Sequence, residues 1–238
     1  MVKYREVYDR VLPESKRASD RQNIVLAKVV RPLSIYLTLP LLEKDVEATT
    51  VTKVSVAVSL VGFALLMLGH RMALNILGWF CFFMWAVLDC VDGNIARFKN
   101  QCSSMGELWD AFGGYVAMVL TYFGGGIAAY FDQNYITFCE PYFLLILGGA
   151  TAIMSIFPRM IMHKKRAMGE KESTKSFTNK QKFSIVQSLA HNFISLIGLF
   201  QFIFLFCIIF RLLNVWILVY FIANLGMMLI SLRSLLKE

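Results

Sequence analysis

Residues Asp89 to Asp110 read D-C-V-D-G-N-I-A-R-F-K-N-Q-C-S-S-M-G-E-L-W-D, and the sequence on either side is apolar enough to lie in a membrane. Ionisable groups at such depth are costly unless they pair or hold ions, so the stretch reads as a site. If Trp79 to Phe98 forms one helix, Asp89 and Asp92 share a face, with Arg97 about a turn and a half further on. Asp110 follows a polar break near the start of the next apolar run, and a short loop returns it antiparallel to the first pair. Hard oxygen ligands from two neighbouring helices, Asp89, Asp92 and Asp110, make a divalent-cation site. Mg²⁺, which keeps waters and favours phosphate, is the usual ion there. Gly93 and Gly106 then read as places where a ligand approaches the backbone with no Cβ in the way. Carboxylates that merely cap helix ends would not need two glycines beside them.

Working outward, 238 residues with 57% hydrophobic content and 20 Phe exceed what a soluble domain of this size carries. A mean hydropathy of +0.58 agrees, and the composition predicts an all-α polytopic membrane protein. The first stretch, MVKYREVYDRVLPESKRASDRQN, is charged from the start and has no apolar core or cleavage site of a signal peptide. Residues 1–22 read as a polar, mobile start, and residues 23–238 as one membrane domain. From Asn23 to Leu42 the chain is apolar but broken by Lys28, Arg31-Pro32 and Pro40, which suits an amphipathic helix lying at the interface. Six spans follow, at about 51–69, 72–96, 107–130, 138–161, 184–210 and 213–233, each near the ~20 residues that a crossing needs. Cys81, Cys90, Cys102, Cys139 and Cys207 show no metal spacing and read as ordinary thiols.

The net charge of +8 does not imply nucleic acid, because its distribution is that of a membrane topology. Of 24 Lys and Arg, all but Arg71 and Arg211 fall in the N-terminal region, the 97–105 loop, the 158–182 segment and the C-terminal tail. Six spans with both termini inside put those 22 on the cytoplasmic side, as the positive-inside rule requires. The linker HKKRAMGEKESTKSFTNKQK is a solvated cytoplasmic loop attracting anionic lipid, or its membrane-proximal cations, with Arg159, present charge to an acceptor phosphate. Gly124-Gly125-Gly126 and Gly148-Gly149 are expected to let helices approach closely.

The pattern D-x2-D-G-x2-A-R-x8-G-x3-D, filled by Asp89, Asp92, Gly93, Ala96, Arg97, Gly106 and Asp110, resembles the signature of the CDP-alcohol phosphotransferases, also called phosphatidyltransferases. The family pattern continues with x3-D, where this chain has Gly114; in the family that aspartate is assigned as the general base. The resemblance implies attack of an acceptor hydroxyl, lipid or glycan, on a CDP-alcohol with release of CMP, in phospholipid or lipid-linked glycan synthesis. It implies Mg²⁺ or Mn²⁺, two ions, with Gly93, Ala96, Arg97 and Gly106 around the nucleotide and Asp110 in the catalytic centre. It also implies a homodimer among membrane lipids, for which the glycine-bearing faces of the third and fourth expected spans are a second motive. Asp89 and Asp92, at the inner end of the second expected span next to Arg97 and Lys99, are expected to face the cytoplasm.

With no carboxylate at position 114, Glu107 and His191 are the expected replacements. Glu107 shares a face with Asp110, and His191 is an isolated histidine inside the fifth expected span. Loss of the base also raises a second reading, a homologue that keeps metal and CDP binding and serves as a scaffold. Retention of three costly carboxylates argues for the enzyme. A transporter using the acids as a cation site leaves the Gly and Ala-Arg spacing without a role.

Overall fold

The computed structural model of this chain describes residues 3–132, 140–167 and 192–236, and among them it contains helices and no strand. The helices are α1 (Tyr4–Val11), α2 (Glu14–Asp20), α3 (Arg31–Glu43, entered through a π-helical turn at Leu26–Val30), α4 (Ala48–Met67), α5 (Met72–Phe98), α6 (Ser104–Phe131), α7 (Pro141–Ala167), α8 (Phe200–Ile209) and α9 (Leu213–Leu236). Five of them are long and apolar enough to cross a bilayer: α4, α5, α6, α7 over Pro141–Lys164 and α9 over Leu213–Arg233. The expected fifth span, 184–210, lies partly outside the described residues. Its described part is not one helix: Gly198 N–H donates to Ser195 O and Leu199 N–H to Asn192 O, a turn that precedes α8.

The described residues divide into two compact units, one from 3–60, 81–117 and 192–201, the other from 61–80, 118–132, 140–167 and 202–236. In the first unit the polar start is folded, contrary to the expectation that it is mobile. Val7 and Val11 recur at the helical spacing of α1 and bury fully with Leu12 against Ile35 of α3, beside Phe98. Arg10 lays its guanidinium 4.6 Å from the centroid of the Phe98 ring. Burial of each of those aliphatic side chains contributes about 1.5–3 kcal/mol towards holding the segment against α3. The α3 helix also departs from a simple amphipathic pattern. Arg31, Ser34 and Thr38 are buried with Ile35, whereas Tyr36, and Ile24 and Val29 in the segment leading into the helix, are exposed.

In the second unit the small residues permit close packing, as the sequence implies. A Cβ on Gly126 would meet the Cα of Gly148 at 2.7 Å, and one on Gly125 would meet the Trp216 ring at 2.5 Å. Phe204 and Trp216 stack at 4.5 Å, and Tyr122 and Tyr220 flank the same indole. Most of these glycines are therefore committed to packing within one protomer, which removes them as a reason for a homodimer.

Candidate functional site around Asp92

The first unit gathers the motif. Helix α5 runs unbroken through Asp89, Asp92 and Arg97 to Phe98 and is closed off by Asn100, which adopts φ 53° while Gln101 N–H closes on the carbonyl of Ala96. Asparagine tolerates this left-handed turn because its side chain bonds locally. Three residues later Ser103 caps α6, its Oγ accepting from Gly106 N–H at 3.0 Å. The polar break in the sequence is thus a helix stop followed by a helix start, and it returns the chain with Glu107 and Asp110 in the first two turns of α6.

Asp92 is 4% exposed, and Thr52 Oγ1 of α4 donates to its Oδ2 at 2.6 Å. Asp89 is half-buried and Asp110 exposed, and the charges of both reach Asp92. Among the described residues no Lys or Arg forms an ion pair with Asp92; the ion pairs there are Arg17–Asp9, Arg31–Asp20 and Lys99–Asp45. A buried carboxylate in the field of two others, and without a cation of its own, is a donor set for a divalent ion. The three aspartates do not close into a ready cage, however. Among the described residues no group of three His, Cys, Asp or Glu stands close enough together to hold a metal as the side chains now lie. Hard-ion ligands on two helices need not meet until an ion and a phosphate draw them in, and Mg²⁺ fills much of its shell with water and substrate oxygen.

Helix α4 locks the arrangement. Thr52 also bonds the carbonyl of Ala48, and a Cβ on Gly113 would press on Val56 at 3.3 Å and meet Thr52 at 3.7 Å. Lys53 places its ammonium 5.5 Å from the centroid of the Trp109 ring on α6. Position 114, the one departure from the motif, is a buried glycine. Glu107 is exposed, and His191 lies outside the described residues.

Gly93 has a reason other than ligand approach. A Cβ there would meet Nη1 of Arg97 at 3.0 Å and Nη2 at 3.1 Å, so the guanidinium lies across the glycine. Arg97 Nε donates to the carbonyl of Val11 at 3.1 Å, and Nη2 donates to Asn94 Oδ1 at 3.0 Å. Asn94, fully buried, turns its amide towards Ser34 Oγ and Thr38 Oγ1 at 3.2 and 3.3 Å. A polar ladder thus runs from α3 through the motif to the end of α1. Gly106 differs, since a Cβ there would meet only Ser103 Oγ within 4 Å, leaving the backbone open.

Two further cations converge on Arg97, and sequence reading missed both. Arg31 is 8% exposed and lies in the field of Asp20 and Asp89; its Nε donates to Asp20 Oδ2 at 2.7 Å, while its buried Nη1 has no partner among the described residues. Lys16 of α2 is half-buried; burial first, then the Arg97 and Arg31 guanidiniums, push its ammonium down to about 8. A buried guanidinium nitrogen without an acceptor, beside two other cations, is what an anionic phosphate oxygen satisfies.

Comparison with known proteins agrees with this chemistry. None of the curated proteins compared with the chain matches it. The sequence model of one family, CDP-alcohol phosphatidyltransferase, matches residues 46–219, which takes in every motif residue from Asp89 to Asp110 and nearly three-quarters of the chain. The chain therefore belongs to the CDP-alcohol phosphatidyltransferase family, as the spacing of its aspartates implied.

Proposed function

We propose that this membrane protein transfers a substituted phosphate from a CDP-alcohol to an acceptor hydroxyl, releasing CMP, in the synthesis of a phospholipid or a lipid-linked glycan. Asp92 carries the reading: a buried carboxylate with no cation among the described residues, in the field of Asp89 and Asp110, inside the family motif. Asp89, Asp92 and Asp110 are the residues that would hold Mg²⁺ or Mn²⁺. When bound, such an ion neutralises pyrophosphate charge and the charge that develops on departing CMP.

The chain's own groups divide the remaining work. Arg97, held over Gly93 by Val11 and Asn94, is aimed with Arg31 Nη1 and Lys16 at phosphate oxygens. The open backbone at Gly106 gives the nucleotide room. As the new bond forms between the acceptor oxygen and phosphorus, the bond from that phosphorus to the CMP oxygen breaks and the hydroxyl proton leaves. Glu107 takes that proton, since position 114 carries no carboxylate and Glu107 is exposed one turn before Asp110 on α6. His191 is the second choice, on sequence grounds alone. The distribution of Lys and Arg supports a cytoplasmic placement of this site and of both termini.

The test is CMP release by the purified full chain from a mixed pool of labelled CDP-alcohols, with and without a lipid extract as acceptor. Release that needs both divalent ion and acceptor supports the reading. Nucleotide binding without release under any of these conditions overturns it in favour of a scaffold.

A further inference from the structure

The second unit contains a cavity of about 260 Å³ that the phosphotransfer reading does not use. It is lined by Gly69, His70, Asn75, Asp132 and Arg211, with Phe131 as part of its apolar wall. Each of these segments sits at the end of an apolar helix: 69–75 between α4 and α5 and into its first turn, 131–132 at the end of α6, and Arg211 just after α8. That is the depth at which lipid headgroups lie beside a membrane protein.

Three observations say that the cavity is built for a ligand. Asn75, one of the lining residues, is 4% exposed, and its Oδ1 is a buried acceptor with no hydrogen-bond partner among the described residues; its Nδ2 donates to the carbonyl of Gly69. Such an oxygen is costly to leave bare, so it calls for a donor from outside the protein. Asp132 and Arg211 line the same cavity with opposite charges, yet among the described residues they form no ion pair with each other or with anything else. They are close enough to feel each other: burial raises the Asp132 carboxyl above the ordinary range, and Arg211 pulls it back. Arg211 is also held at φ 54°, a left-handed conformation that ordinarily falls to glycine, so the position keeps a cation there against the backbone preference. Finally, His70 is fixed edge-on against Phe131, with 4.2 Å between ring centroids.

We propose that this cavity is a second ligand site, which takes a zwitterionic aminoalkyl phosphate: its ammonium bound by Asp132 and Asn75 Oδ1, its phosphate by Arg211 and His70. Separated opposite charges recognise a molecule carrying both, and the orphan acceptor beside Asp132 selects an N–H donor at that end. At liquid water's share of about 30 Å³ per molecule, the cavity has room for roughly eight or nine non-hydrogen atoms, the size of phosphoethanolamine. The ligand chemistry is the same whether it arrives as a lipid headgroup or as the free phosphoester.

The test uses the full-length protein. Phosphoethanolamine, glycerol 3-phosphate, inorganic phosphate and an amino acid, serine, are titrated calorimetrically into protein in detergent. In parallel, phosphatidylethanolamine retained from phosphatidylcholine nanodiscs that contain it is quantified by native mass spectrometry. Phosphoethanolamine, phosphatidylethanolamine or both should bind, with glycerol 3-phosphate and inorganic phosphate at least about ten-fold weaker. Loss of one hydrogen bond to a charged group should weaken binding about ten-fold in Arg211→Gln and again in Asp132→Asn, with CMP release and melting temperature unchanged. If either variant melts early, Asn75→Ser, which shortens the acceptor and keeps it polar, is read in its place. Binding of the free molecule alone, or of the lipid alone, supports the site and identifies its source. Equal binding of inorganic phosphate, tighter binding of serine, indifference to both charge variants, or no binding from either source overturns it.

Discussion

Helix α5 carries two buried polar side chains of equal exposure, Asn75 near its start and Asp92 near its end, each 4% exposed. Their surroundings differ in kind. Asp92 has a hydroxyl donor in Thr52, two carboxylates in its field and no cation of its own; Asn75 has a bare oxygen and a carboxylate and a guanidinium on one cavity wall. One end of the helix asks for a cation with phosphates, the other for a molecule that brings both charges. Membrane depth alone therefore does not decide what a buried polar group is for. Its neighbours on other helices do.

The strongest way to break that contrast is Asp92→Asn, which makes the two ends chemically alike. It keeps the Thr52 hydroxyl as a neighbour but removes the charge, so turnover should fall by about 10²–10³-fold or more, and divalent-dependent CDP binding should weaken with it. CMP release measured beside circular dichroism checks this, and EDTA should have the same effect on the wild type. Retention of activity by Asp92→Asn would remove the charge argument entirely.

The next effect concerns the proton. If Glu107 is the base, Glu107→Gln should lower CMP release about 10²-fold and His191→Ala should leave it unchanged. Gly114→Asp lies one helical turn beyond Asp110, so in the Glu107→Gln background it should restore part of the rate, provided the melting temperature shows that the buried position accepts the side chain. A collapse with His191→Ala instead would move the role to that residue.

A smaller loss is expected from the ladder that holds Arg97. In Asn94→Leu, Ser34, Thr38 and Arg97 lose their common partner; in Arg97→Lys the two-point hold by Val11 and Asn94 is lost. Each should cost about 10–100-fold in apparent affinity for the CDP-alcohol, because such supporting contacts orient the groups that meet the ligand. A change in melting temperature with no change in KM would make the ladder structural only.

The end of α5 that holds Asp92 was legible in the sequence because its chemistry is local. Seven identities at fixed spacing, a polar break and apolar flanks all lie within one stretch, and the five described spans follow from the same hydropathy. The helix stop at Asn100 and the cap at Ser103 sit where that break suggested. What was not legible is whatever depends on partners far along the chain. Thr52 is 40 residues from Asp92, and Val11 is 86 from Arg97. The i, i+4 spacing of Val7 and Val11 is visible in the run of α1, but a short charged helix reads as solvated until a neighbour covers it, and nothing in α2 marks Lys16 as inward-facing. Gly93 is a similar case: a glycine in a site motif admits a ligand or a side chain of its own helix, and the guanidinium of Arg97 across it is visible only in the coordinates. The other cavity left still less trace, because its residues come from three separate helix ends.

The smallest expected effect is also the most specific, because it tests whether the N-terminal helices belong to the site. Lys16 is half-buried, and the groups whose charges act on it are Arg97 from α5, Arg31 from α3, Asp20 from α2 and Cys90 from α5. Burial and the two guanidiniums lower its ammonium to about 8 from 10.5, so the folded state binds the proton less tightly than the unfolded chain does. The cost of keeping the charge is present below about 8 and is relieved as pH rises from there towards 10.5, so stability should increase through that window. Ligand binding should run the other way. The pyrophosphate diester of a CDP-alcohol carries a fixed charge over this range, and a neutral Lys16 gives it less. Affinity for CDP-glycerol should therefore decline as pH rises through about 8, by about two- to five-fold for a partly exposed charge. Lys16→Arg keeps its charge and should flatten the profile, whereas Lys16→Met should start at the weaker value and stay there. If the wild type is flat, or Lys16→Arg shows the same slope, α2 supports the fold without touching the ligand, and the phosphate is held by Arg31 and Arg97 alone.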